Sequence, residues 1–156
     1  MMLLKFPGAL LLVCVGFGVG REWTQKLRHR CLFWQQMGEL LCYIQDAVFY
    51  QAVSLESLHQ QLVQQQAYPM LNLQMQPSLA GFCFPDWVTP QQSSAFRELF
   101  SQLGCITAAQ LCDRIPYYVR LCEQHQKKQQ ELSIQAEALY PKAGFCAGLL
   151  AAILLF

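Results

Sequence analysis

The sequence predicts an all-α fold, a helical bundle flanked by two apolar helices, and three observations predict it. Apolar residues recur at helical spacing through the middle of the chain. Serine, threonine and proline stand where helices begin. No stretch shows the alternation that marks a β-strand. Hydrophobic residues make up 54% of the 156 residues and charged residues only 13%. Soluble domains carry about 25% charged residues, so lipid is an expected partner. The net charge of +1 gives no bulk attraction to nucleic acid.

The first apolar run, Leu3 to Gly20, is interrupted only by Lys5. It reaches the minimum length of a transmembrane helix. A cleaved signal peptide begins the same way, but this run passes through glycines into Arg21, Lys26, Arg28 and Arg30. Leu11-Leu12-Val13-Cys14 resembles a lipoprotein cleavage site, with Val13 where a small residue is wanted. The closing run, Ala143 to Phe156, has 14 residues. At about 1.5 Å per residue it is short for a hydrocarbon core of about 30 Å. Leu139 and Tyr140 lengthen it if Lys142 snorkels. The expected domains are therefore a membrane helix over 1–20, a helical soluble domain over 21–142 and a second membrane helix over 143–156.

Arg21, Lys26, Arg28, Arg30 and Lys142 all belong to the middle region. By the distribution of positive charge they set it in the cytoplasm and both termini outside. Gly16 with Gly20, and Gly144 with Gly148, form small-xxx-small pairs that let helix backbones approach closely. They predict an antiparallel packing of the two spans.

Through the middle, Leu27, Trp34, Leu41 and Val48 recur every seven residues, with Met37 and Ile44 between them. This stripe continues from the first run and reads as core. Ser54 caps a second helix carrying Leu55, Leu58 and Leu62, whose glutamine-rich tract, Gln60 to Gln66, is its solvated face. Residues 67 to 88 are irregular, and Phe82, Phe84 and Trp87 are expected to cover the bundle. Thr89-Pro90 opens the next helix, Gly104 ends it, and Thr107 with Gln110 forms a capping box for the last. Pro116 is expected to kink that helix or to start another.

No motif of catalysis or nucleotide binding is present, and no catalytic residue, cofactor or enzyme activity is assigned. His29, His59 and His125 are scattered, and His29 is expected to face headgroups. The eight cysteines include no CxxC pair and read as reduced and structural. Cys122 and His125 lack a second ligand pair, so no metal site is expected. Asp113 and Arg114 with Arg120 and Glu123 read as helix ion pairs. From Cys31 to Phe96 there is no Lys or Arg, and Glu39, Asp46 and Glu56 form a candidate face for a basic partner.

The order of these segments resembles the stage III sporulation protein AB family of endospore-forming bacteria, nearly end to end. The resemblance lies in the first apolar segment and its basic sequel, Leu40-Leu41-Cys42-Tyr43-Ile44, Ala52-Val53-Ser54-Leu55, Phe100-Ser101-Gln102-Leu103-Gly104, and most specifically Gly144-Phe145-Cys146-Ala147-Gly148-Leu149-Leu150. Ala67 to Trp87 departs from the family pattern. The resemblance implies a helical domain similar to the cytoplasmic domain of the type II secretion platform protein. It further implies a non-enzymatic subunit of the sporulation channel complex, in the mother-cell membrane around the forespore, touching other channel-complex proteins and a secretion-type ATPase. The alternative is an exported lipoprotein or secreted helical interaction factor.

Overall fold

A computed structural model describes the backbone of residues 5–51 and 53–155. It describes side-chain surroundings for 14, 15, 18, 21–50, 53–139, 142, 143, 145–147 and 150. The described chain is all-helical. α1 (Lys5–Asp46) closes in a π turn (Ala47–Gln51), α2 spans Leu55–Gln64, and two 3-10 turns follow at Pro69–Leu71 and Leu73–Met75. α3 spans Pro90–Gln102 and α4 spans Ala108–Leu155. Among the described residues no helix is long and apolar enough to cross a membrane. Most of the runs 3–20 and 143–156 lies outside the described side chains.

The helix starts follow local chemistry. The Ser54 hydroxyl accepts from the Ser57 amide at 3.3 Å. Thr89 and Gln92 make a reciprocal capping box, with Pro90 at the first helical position. Thr107 and Gln110 make a second one, at 3.3 and 3.4 Å. After α3, Gly104 takes φ +88°, a conformation that strains any residue with a Cβ.

Of the two expectations at Pro116, the start of another helix does not hold. α4 runs through it without a break. Beside it Ile115 is fully buried, and Leu111 and Cys122 are buried along the same helix. Packing of this apolar face outweighs the lost backbone hydrogen bond. The expected ion pairs among Asp113, Arg114, Arg120 and Glu123 do not form. Arg114 donates to the Gln102 side chain and Arg120 Nε to the Pro116 carbonyl at 3.2 Å. An exposed arginine gains as much from an uncharged carbonyl as from a solvated carboxylate, because water screens the pair.

The chain divides into two compact units, 33–124 and 1–32 with 125–156. α1 and α4 each contribute to both. In the first unit Trp34, Met37, Leu40, Leu41 and Ile44 of α1 pack with Leu58 and Leu62 of α2 and Phe96, Leu99 and Phe100 of α3. Each such side chain contributes about 1.5–3 kcal/mol on burial. Leu27 and Val48, the outer members of the heptad stripe, are half-buried. The irregular segment covers this core. Phe82 stacks on Phe100 at 5.3 Å between centroids, and Trp87 stands edge-on to Phe33 at 5.1 Å. It also holds three non-glycine residues in left-handed conformation: Gln66, Tyr68 and Asn72. They turn the chain back so that Leu71 and Leu73 reach the core.

In the second unit α1 and α4 run antiparallel. Arg28 Nε donates to Glu137 Oε1 at 2.7 Å, and the Cys31 thiol donates to the Gln126 carbonyl at 3.8 Å. The partner position falls in α4 as it rises in α1. The buried residues described here are small: Thr24, Ser133 and Ala136. Small side chains let helix axes approach closely.

Candidate interaction sites

Three groups of residues were candidates, and the structure treats them differently. Gly16 and Gly20 lie in α1, and Gly144 and Gly148 in α4. Their surroundings lie outside the described residues.

The basic group is solvent-facing. Arg21, Lys26, Arg28 and Lys142 are exposed and Arg30 is partly so. Lys26 Nζ stands 5.9 Å from the Trp23 ring centroid, a cation–π contact. Arg28 gives both Nε and a terminal nitrogen to one Glu137 oxygen. Arg21, Thr24, Gln25 and Arg28 fall at one, four, five and eight in a repeating helical face. With Glu137 they line a cavity of about 240 Å³. The side chain of His29 is exposed on the same stretch of helix.

The acidic group splits. Glu39 and Asp46, seven residues apart on α1, are exposed, and Glu39 accepts from Gln35 Nε2 at 3.0 Å. Burial pushes the Cys42 thiol up, and the charges of Asp46, Glu123 and Glu39 add to it in that order. Three carboxylates thus act on Cys42 through their charge, one of them from α4. Glu56 is exposed in the first turn of α2 and is not among them. Glu123 was missed as a member of this face because sequence spacing pairs it with Arg120, its neighbour along the helix. Its succession to buried Cys122 was the available signal. Just beyond Asp46, Phe49 and Tyr50 are 59% and 77% exposed, with their rings edge-on at 4.9 Å. Apolar rings this exposed, next to an acidic face, form a surface suited to a partner.

Beneath this face lies Cys122, 2% exposed, its thiol pushed up to about 12, first by burial and then by Cys42 and Glu123. A thiol held neutral in this way is not a nucleophile. His125 is half-buried, and burial, then Lys128, holds its pKa below the usual imidazole value. His59 Nε2 donates to the Leu73 carbonyl at 3.2 Å, which ties α2 to the second 3-10 turn. A cavity of about 390 Å³ beside these turns is lined by amides and apolar side chains, including Gln66, Asn72, Gln74 and Met75. Among the described residues no three His, Cys, Asp or Glu side chains are grouped to hold a metal ion.

Charge is partitioned between the two units. Residues 1–32 and 125–156 hold eight Lys/Arg and three Asp/Glu, a net of +5. Residues 33–124 hold three and seven, a net of −4. Comparison with protein-family models, curated proteins and solved structures returns no match to this chain.

Proposed function

We propose that the chain is a non-enzymatic, membrane-anchored platform subunit. Its basic unit sits against anionic lipid and its acidic unit presents a helical docking surface to a basic protein. The partition of charge, +5 against −4, carries this reading. A polybasic segment next to an apolar run is attracted to an anionic leaflet by about 1 kcal/mol per charge. An acidic face beside exposed aromatics favours a basic partner and speeds its approach.

The sequence resemblance to the stage III sporulation protein AB family supplies the setting. The chain would belong to the sporulation channel complex between mother cell and forespore, in the mother-cell membrane around the forespore, with its soluble unit in the cytoplasm. Its partners would be other channel-complex proteins and a secretion-type ATPase at the channel base. The helical packing of unit 33–124 is compatible with a secretion-platform domain. The antiparallel course of α1 and α4 supports the proposed hairpin. Gly20 lies eight residues before Arg28 and Gly144 seven after Glu137, near-equal offsets that agree with such a hairpin.

The test is capture of the ATPase by the full chain. Glu39→Lys, Asp46→Lys and Glu123→Lys together should abolish capture, while Glu56→Lys alone should preserve it. Undiminished capture by the triple variant overturns the docking surface. Reporter fusions after Leu139 test the orientation. An active periplasm-type reporter at that point would favour the exported alternative.

A further inference from the structure

We propose that the cavity lined by Arg21, Thr24, Gln25, Arg28 and Glu137 is a phosphate-ester site that takes the headgroup of an anionic phospholipid. The inference rests on the membrane reading above and gives it a specific site.

Four observations converge on it. Arg21 and Arg28 are two helical turns apart on one face of α1, with Thr24 and Gln25 between them, so two guanidinium groups, a hydroxyl and an amide line one hollow. Guanidinium matches the paired oxygens of a phosphate, and the Gln25 amide can donate to a remaining one. The charge is unbalanced in favour of an anion. Arg28 is neutralised by Glu137, whereas Arg21 is in no ion pair among the described residues. The volume, about 240 Å³, suits a headgroup rather than a large soluble ligand.

The fourth observation is position. Arg21 immediately follows the apolar run Leu3 to Gly20, so a helix inserted through that run carries the hollow to headgroup depth. Trp23 is 57% exposed beside it with Lys26 over its ring. Tryptophan and lysine are the residues that anchor helices at the membrane interface. A diester phosphate at this depth meets Arg21 without leaving the bilayer surface. Free phosphate would supply the same oxygens but would not use the neighbouring apolar run.

Three soluble probes separate the sources, read by native mass spectrometry or calorimetry on the full chain: dioctanoyl phosphatidylglycerol, dioctanoyl phosphatidylcholine and inorganic phosphate. Phosphatidylglycerol should bind, phosphatidylcholine should bind at least fivefold more weakly, and excess inorganic phosphate should not displace the lipid. Arg21→Gln should weaken phosphatidylglycerol about fivefold, the loss of one interfacial charge, and Arg21→Lys should restore most of it. Arg21 is exposed and bears no fold contact described here, so these variants keep the helices intact. Equal binding of both lipids, or no effect of Arg21→Gln, overturns the site. Phosphate binding as tight as phosphatidylglycerol overturns the lipid assignment. Carbonate extraction of membranes tests the membrane reading separately. A chain released by carbonate refutes that reading even where Arg21-dependent lipid binding is retained.

Discussion

A Cβ built on Gly38 of α1 stands 3.5 Å from the Cβ of Cys122 on α4. A Cβ there is in ordinary van der Waals contact with its neighbour on the facing helix, and the spacing is that of a disulfide. Gly38→Cys should therefore oxidise with Cys122, and peptide mapping should join the two positions. In its reduced form the variant should be as stable as the parent, because glycine in a helix costs about 1 kcal/mol relative to better helix formers. Absence of the 38–122 crosslink even under iodine oxidation, which engages neutral thiols, would refute this meeting of α1 and α4.

Cys122 makes stability sensitive to alkali. Its buried thiol ionises near 12, against 9.0 for a free one. The unfolded chain therefore loses this proton first as pH rises. The contribution is intact below pH 9 and is lost between 9 and 12, by at most about 1.4 kcal/mol per pH unit. Denaturant midpoints measured across that range should fall less steeply in Cys122→Ala. An identical slope in both proteins would contradict the burial.

His125 acts at the other end of the scale. Burial and Lys128 lower its pKa, so the folded state takes up a proton less readily than the unfolded one. Stability is complete above the ordinary value of 6.5 and declines as pH falls through the lowered one. Thermal unfolding of His125→Gln between pH 7 and 5 should show a flatter acid limb than the parent.

Trp34 is fully buried against Phe33, Trp87 and Phe96, with ring centroids at 5.5, 6.4 and 5.5 Å. Trp34→Ala should cost about 3–5 kcal/mol, and at about 2–4 °C per kcal/mol the melting temperature should drop clearly. Near-UV circular dichroism should weaken with it. A melting temperature within one degree of the parent would place Trp34 outside the core.

The capping boxes make a smaller claim. Thr89→Ala and Thr107→Ala should each cost about 1 kcal/mol, as loss of an N-cap hydroxyl does. Serine at either position should recover most of it. Chemical denaturation resolves differences of this size.

What the sequence disclosed was mostly local. Ser54, Thr89 and Thr107 are legible because a cap bonds to residues three positions away. The stripe through Trp34, Met37, Leu41 and Ile44 is legible because helical periodicity names its own buried face. Pro116 misled as a helix start, since its local rule ignores the apolar face that carries α4 past it. Gln66 and Tyr68 gave no sign of left-handed backbone, and Asn72 gave only the weak one that asparagine carries. The candidate surfaces were half legible. Glu39 and Asp46 share a helix face by spacing alone, but Glu123 joins them from α4, and no periodicity along one helix reports a neighbour on another. Arg28 and Glu137 were equally hidden from each other.

Those last two residues are 109 positions apart, and that interval has a duration. A ribosome adding 5–20 residues per second needs roughly 5–20 s to travel from one to the other. Everything in 33–124 is synthesised meanwhile, so the acidic unit can close while the basic unit still lacks its second helix. The stretch of α1 around Arg28 must wait out this period without its protein partner, with Arg28 uncompensated. Early capture by a bilayer or a chaperone would shield it, and the meeting of Arg28 with Glu137 then marks one of the last steps of the chain's birth.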